Sequence, residues 1–141
     1  MASRTLMNML AATISVGGLL GAAACQSSAP PYRGRVDPIP LSDYPQIVVT
    51  RPLNDLLGFS QPNVTPATET EPMRVVAPVR SMQDGYTRVQ YQFEFFDERG
   101  RPLSQSGWKY KSITPRQQVF LDGRALSTEA KDWRLSIRQA G

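Results

Sequence analysis

The stretch Tyr86–Leu103, YTRVQYQFEFFDERGRPL, decides how the rest of the chain is read. In it Val89, Tyr91, Phe93 and Phe95 alternate with Arg88, Gln90, Gln92 and Glu94. A period of two puts successive side chains on opposite faces of a strand, so the large apolar groups share one face and the polar groups the other. Asp97-Glu98-Arg99-Gly100 then breaks the pattern, and Gly100 can take the positive φ that a tight hairpin turn often needs. The segment predicts an antiparallel sheet packed on one face. It carries no chemistry of its own.

Working outward toward the N-terminus, Gln83-Asp84-Gly85 reads as a turn and Met73–Ser81 (MRVVAPVRS) as a strand. Pro78 has no N–H to donate, which argues for an edge or a bulge there and leaves the register of the first strands open. Ser60–Pro72 is polar, holds three prolines and is expected to be a mobile loop. Asn54–Phe59 (NDLLGF) reads as a helical turn that tucks Leu56, Leu57 and Phe59 inward, or else as a loop over the open end of the sheet. Gln46–Thr50 (QIVVT), between Pro45 and Pro52, is a short strand. Toward the C-terminus, Pro102 loosens the start of the return strand and Trp108–Ile113 alternates again. Thr114-Pro115-Arg116-Gln117 is a turn signal. Gln118–Asp122 is a short strand that Gly123 ends, and Ser127–Ala130 reads as one capped helical turn. Finally Trp133, Leu135 and Ile137 alternate with Arg134, Ser136 and Arg138. Strands at roughly ten-residue spacing with turns between them predict an all-β fold, a small antiparallel immunoglobulin-like β-sandwich with one or two short helical turns.

The chain has 141 residues, room for one domain and a tether. Nine of its twelve prolines precede residue 73, while nine of its twelve aromatic residues lie between Tyr86 and Trp133, so the core belongs to the second half. The net charge of +4 gives a pI near 9.6, but the basic residues are scattered. A nucleic-acid site would need a basic stripe with exposed aromatics or a recognition motif, and the sequence has neither. A modestly positive face is compatible with attraction to anionic lipid headgroups or envelope polymers.

Met1–Ala24 has one early charge, Arg4, and an apolar run that ends in Gly21-Ala22-Ala23-Ala24 before Cys25. A positive start, a short apolar region and small residues before a cut form a secretory signal peptide. The cysteine directly after the small residues resembles a bacterial lipoprotein signal. That resemblance implies lipid on the Cys25 sulfur, cleavage before it and acylation of the new N-terminus. Ordinary cleavage after Ala22-Ala23-Ala24, which would release the protein, is the competing reading. Several acyl chains would anchor the protein to the membrane stably, each buried methylene adding about 0.8 kcal/mol. Gln26, not aspartate, follows the cysteine, and the resemblance then implies an outer-membrane anchor facing the periplasm. Gln26–Pro45 holds five prolines and no apolar periodicity. Extended at about 3.1 Å per residue, this stretch would reach roughly 60 Å. The organisation expected is therefore a signal over 1–24, a lipidated N-terminus and Pro-rich tether over 25–45, and a β-sandwich domain over 46–141.

Arg88-Val89-Gln90-Tyr91-Gln92-Phe93-Glu94-Phe95-Phe96-Asp97, with Gly100 following, resembles the central V-x-Y-x-F-x-[FW]-[FY]-D-x-x-G signature of YcfL-type lipoproteins. Pro115–Leu121, Ala130 and Trp133–Ile137 are similar to the closing half of that family. The resemblance implies a small module facing the periplasm of a Gram-negative envelope, with a poorly defined function.

Catalytic chemistry has little to work with. There is no histidine and a single cysteine, which removes Ser-His-Asp and Cys-His arrangements, imidazole metal sites and any intramolecular disulfide. Asp97 and Glu98 read as a solvated turn, with Asp97 bonding backbone N–H groups of its own hairpin. No phosphate loop or calcium loop is present. The expectation is no enzyme, no metal and no cofactor. Trp108 and Tyr110, with Lys109 and Lys111 beside them, are the candidates for an aromatic and cationic surface that binds a glycan or a protein; core packing is the more ordinary fate of such rings. Phe96 breaks the alternation and is placed on the opposite face, where it either seeds a partner contact or is covered by Leu56, Leu57 or Phe59. Pro102 and the lysines also read as edge protection. The function expected is a lipid-anchored, non-catalytic binding or accessory module with an envelope protein or glycan as partner; the alternative is a ligand- or glycan-binding sandwich that uses Trp108 and Tyr110.

Overall fold

The ten-residue strand Thr87–Phe96 is the spine of the molecule, and its burial follows the alternation read from the sequence except at Gln92, which is buried on the polar face. The computed structural model describes residues 39–41 and 43–141; the signal, Cys25 and most of the spacer lie outside these residues. In chain order the strands are β1 (Ile39–Pro40), β2 (Ile47–Val49), β3 (Leu57–Phe59), β4 (Asn63–Thr65), β5 (Arg74–Ser81), β6 (Thr87–Phe96), β7 (Pro102–Gln105), β8 (Lys109–Ile113), β9 (Gln118–Arg124) and β10 (Asp132–Gln139), with one helical turn, α1 (Leu53–Leu56). Two sheets result. The larger runs β1-β2-β10-β6, with β7 and β8 successively along the far side of β6. In the smaller, β3 and β4 share one side of β5 and β9 takes the other. The all-β sandwich is as expected, with one departure from antiparallel pairing: β2 runs parallel to β10. Parallel neighbours need a long crossover, and here it is the whole of residues 50–131.

The core is the space between the two inner faces. Ile47 and Val49 (β2), Val89, Tyr91, Phe93 and Phe95 (β6), and Trp133, Leu135 and Ile137 (β10) meet Val75, Ala77 and Val79 (β5) and Leu121 (β9). Phe93 is fully buried, with the rings of Tyr91, Phe95 and Trp133 each 6.2 Å from its own, centre to centre. Burying an aromatic side chain of this size contributes on the order of 2–3 kcal/mol.

Several local expectations change. Pro78 lies in a central strand, not at an edge, because its nitrogen faces a break. The Pro78 carbonyl accepts from the Ser60 amide (3.2 Å), so the nitrogen of the same residue points toward β3 and β4 as well. β3 stops at Phe59, where the next ladder donor would have been that missing N–H, and β4 begins only at Asn63. β4 itself lies within Ser60–Pro72, which was expected to be a mobile loop. The helical turn begins at Leu53, which is fully buried, and Leu57–Phe59 is strand rather than helix. Gly123 does not end β9. It lies within the strand opposite Val75, because only a residue without a side chain fits under the Phe93 ring. Ser127–Ala130 is a turn held by the Ser127 hydroxyl accepting from the Glu129 amide (3.1 Å), not a helical turn. Ile39–Pro40, within the stretch read as tether, pairs with β2.

The return strand is split. β7 pairs with Glu94–Phe96 and β8 with Thr87–Tyr91. Three residues, Ser106-Gly107-Trp108, then stand opposite two, Gln92-Phe93, which is a β-bulge. The Ser106 hydroxyl accepts from the Phe93 amide (2.9 Å), its carbonyl accepts from the Gln92 amide side chain (2.6 Å), and its amide donates to the Phe93 carbonyl (2.8 Å). That bulge sets which way Trp108 faces.

Candidate functional site

Strand alternation sorts the candidate residues onto two faces. Gln90 pairs with Tyr110 and with Arg138, and Glu94 pairs with Arg134; all of these belong to the outer face of the larger sheet. Phe96 and Trp108 fall on that face too. Lys109 pairs with the buried Tyr91 and Lys111 with the buried Val89, so both lysines point to the inner side, at the sheet's edge. The structure therefore brings Phe96, Trp108 and Tyr110 onto one face and separates Lys109 and Lys111 from them.

The cations that meet the rings of the outer face come from β10, whereas Lys109 lies 5.9 Å from the centre of the Tyr91 ring on the inner side. The Arg138 guanidinium stacks 3.8 Å from the centre of the Trp108 ring, and its Nε donates to Gln90 Oε1 at 2.7 Å. The bond to Gln90 holds the guanidinium over the indole, an arrangement that contributes about 0.5–1 kcal/mol at an exposed site. Arg134 repeats the arrangement over Phe96 at 5.3 Å, and its Nη1 lies 3.9 Å from a Glu94 carboxylate oxygen. Neither Trp108 nor Tyr110 is core: they are 36% and 63% exposed, because the bulge and the pairing with Gln90 turn them outward. Phe96 is half-buried beneath Arg134; Leu56, Leu57 and Phe59 are engaged in the core on the other side of the sheet. Arg134, Arg138 and Gln90 were not singled out from the sequence. The signal was present, since Arg134 and Arg138 are the polar half of the last strand's alternation.

Clefts gather at one end of the sandwich, around the β6–β7 turn. One of about 380 Å³ is lined by Phe96, Arg134, Asp132, Gly100 and Gln46. A second, about 530 Å³, lies between the turn and the 128–131 loop and is lined almost wholly by charged side chains, Asp97, Glu98, Arg101 and Glu129 among them. Both are shallow and polar. Asp97 is less solvated than a turn residue was expected to be, and its role is structural. Oδ1 accepts from the Arg99 and Arg101 amides (2.9 and 2.8 Å), and Oδ2 pairs with the Arg101 guanidinium at 2.7 Å. The bond from the Arg101 amide, then the guanidinium and the Arg99 amide, hold the carboxyl below the usual aspartate value, so it stays ionised at neutral pH. Gly100 takes φ +74° in this turn. Among the described residues no three His, Cys, Asp or Glu side chains gather as a metal site would require. Flat rings, guanidinium groups and a primary amide, as the outer face presents them, are groups suited to recognising planar or hydroxylated partners.

Two solved structures are similar in fold. One is the crystal structure of Campylobacter jejuni cj0090, 20% identical, with a TM-score of 0.58 over 67% of this chain and 98% of that one. The other, from Shewanella sp. pv-4, is a DUF1425 family member, 22% identical, with a TM-score of 0.52 over 60% of this chain and 78% of that one. No curated protein matches the chain. Residues 47–139, from β2 to the end of β10, match the family described as protein of unknown function DUF1425, and the chain belongs to that family.

Proposed function

We propose that this protein is a non-catalytic binding or accessory module of the bacterial envelope, a YcfL-type lipoprotein held at the outer membrane by lipid on Cys25 and facing the periplasm. The observation that carries the binding role is the outer face of the larger sheet, where Trp108 and Phe96 each hold an arginine of β10 and Tyr110 stands exposed beside them. The signal-like N-terminus, the cysteine that follows it and the proline-rich spacer support the anchor.

A glycan is the second reading of the same face, favoured by a flat indole beside the Gln90 amide and the Arg138 guanidinium. Two experiments test the proposal. Globomycin treatment of expressing cells, and the Cys25→Ala variant, are expected to block processing and move the protein out of the membrane fraction; unchanged fractionation in both would remove the anchor. Trp108→Ala and Tyr110→Ala are expected to lose binding to isolated envelope material while stability falls by no more than about 1 kcal/mol for Trp108, which gives up its contact with Arg138, and about 0.5 kcal/mol for Tyr110. Intact binding by both variants would remove the outer face from the function.

A further inference from the structure

The sandwich has four long margins, and three of them are closed to further strand pairing. The β7–β8 margin carries Pro102, the bulge at 106–108 and the two lysines of β8. The β3–β4 margin is broken between Phe59 and Asn63. β1 is two residues long. β9 differs from all of these. It is seven residues long, has no proline, lysine or bulge, and among the described residues pairs with β5 alone. Exposed strand edges are normally blunted, because their free N–H and C=O groups recruit other chains.

The direction of those free groups follows from two independent contacts. Pro78 faces β3 and β4, so its cross-strand partner Phe120 forms a non-hydrogen-bonded pair with it, and the Phe120 N–H and C=O point away from β5. By alternation the backbone of Gln118, Asp122 and Arg124 points the same way. Lys109 Nζ lies 3.5 Å from the Asp122 carbonyl, on that same side. On the outer side of this edge stands Phe120, 56% exposed. On the inner side stand Lys109 and Lys111, the two lysines that the outer face does not use.

We propose that β9 is the docking edge for an extended segment of a partner protein whose side chains alternate between apolar and acidic. Its backbone would continue the smaller sheet, its apolar side chains would lie beside Phe120, and its carboxylates would meet Lys109 and Lys111. One of its N–H groups would replace Lys109 at the Asp122 carbonyl, which frees that ammonium for a carboxylate. A second copy of β9 fits less well, because its inward residues Val119, Leu121 and Gly123 offer nothing to the lysines.

The test uses the folded protein with a synthetic heptapeptide that alternates valine and glutamate, and a control that alternates valine and lysine. Amide hydrogen exchange of Phe120, Asp122 and Arg124 is expected to be fast in the free protein and slowed by the glutamate peptide alone, with the protection weakening as salt is raised. Phe120→Pro removes a donor on the free edge and none from the β5 ladder; loss of that donor is expected to weaken peptide binding about tenfold. Lys109→Glu with Lys111→Glu leaves the edge intact and is expected to reverse the peptide preference. Equal protection by both peptides, or by neither, overturns the proposal. So does protection that rises with protein concentration alone, which would make the occupant a second copy.

Discussion

Gly123→Ala tests the packing on which the whole sandwich rests. A Cβ added at residue 123 would stand 2.5 Å from Phe93 Cδ2 and 2.9 Å from Phe93 Cβ. Relieving such an overlap to an ordinary contact near 3.5 Å requires the ring or the strand to move by about 1 Å, in an interior packed as densely as an organic crystal. Phe93 has nowhere to go. It is fully buried, and Tyr91, Phe95 and Trp133 hold it on three sides. Overpacking of this kind costs about 1–3 kcal/mol, and the lower chain entropy of unfolded alanine offsets about 0.4–1 kcal/mol of it. A net loss of about 1–2 kcal/mol corresponds to a fall in Tm of roughly 5–15 °C for a domain of this size.

The assay is thermal unfolding followed by near-ultraviolet circular dichroism, run for the wild type, Gly123→Ala, Phe93→Leu and the double variant. Phe93→Leu alone leaves a gap; combined with Gly123→Ala, the added methyl enters it. The double variant should therefore be more stable than the sum of the single losses by about 1 kcal/mol, the coupling expected of residues in direct contact. If Gly123→Ala melts within a degree or two of the wild type, or if the two losses simply add, then β6 and β9 do not meet where the structure places them.

Two further tests address the turns. The Arg101 and Arg99 contacts hold the Asp97 carboxyl below the ordinary aspartate value in the folded state, so its contribution to stability is full above the unfolded value and is lost as the pH falls through the lower folded value. The wild type should lose stability with acid through that window more steeply than Asp97→Asn, and equal acid slopes would show that the carboxylate does not hold the turn. Arg116 takes φ 58° at the third position of the Thr114–Gln117 turn, a conformation that suits glycine. Arg116→Gly and Arg116→Ala both lose the exposed ion pair with Asp84, so the glycine variant should melt several degrees higher; equal melting temperatures would mean the turn relaxes at no cost.

The strands that were legible in the sequence are those with one face in the core. β6 and β10 show it plainly, since water on one side and protein on the other impose the period of two on Val89–Phe95 and Trp133–Ile137. β3 and β4 are three residues each and were not legible, because three residues carry no period and their placement is decided by Pro78 two strands' length away in sequence. Gly123 misled for a related reason. A glycine at the end of an apolar run reads as a stop, and only the position of Phe93 shows it to be a point of close approach. The same limit applied to the site. The exposure of Trp108 depends on one extra residue in a bulge, and its partner Arg138 lies thirty residues on in the sequence, so the grouping with Lys109 and Lys111 followed chain proximity where the sheet follows register.

That register separates two surfaces along the molecule's axis. β9 runs from Gln118, beside Arg80, to Arg124, beside Arg74; Ser81 follows Arg80 and leads through residues 82–86 into the start of β6. The strand therefore points from the end where β6 begins toward the end that holds the clefts and Asp97. A partner segment added to β9 would lie along that same line. The outer face of the larger sheet presents its rings across the line, at the side. An extended partner needs clearance along its own length, about 3.3 Å for each residue paired, which the proposed spacer would supply. Shortening the spacer within residues 26–38 should then weaken capture of an acidic strand presented from a facing layer while leaving Trp108 and Tyr110 as accessible as before. Equal loss at both surfaces would mean that the spacer sets the reach of the domain and not the direction of its edge.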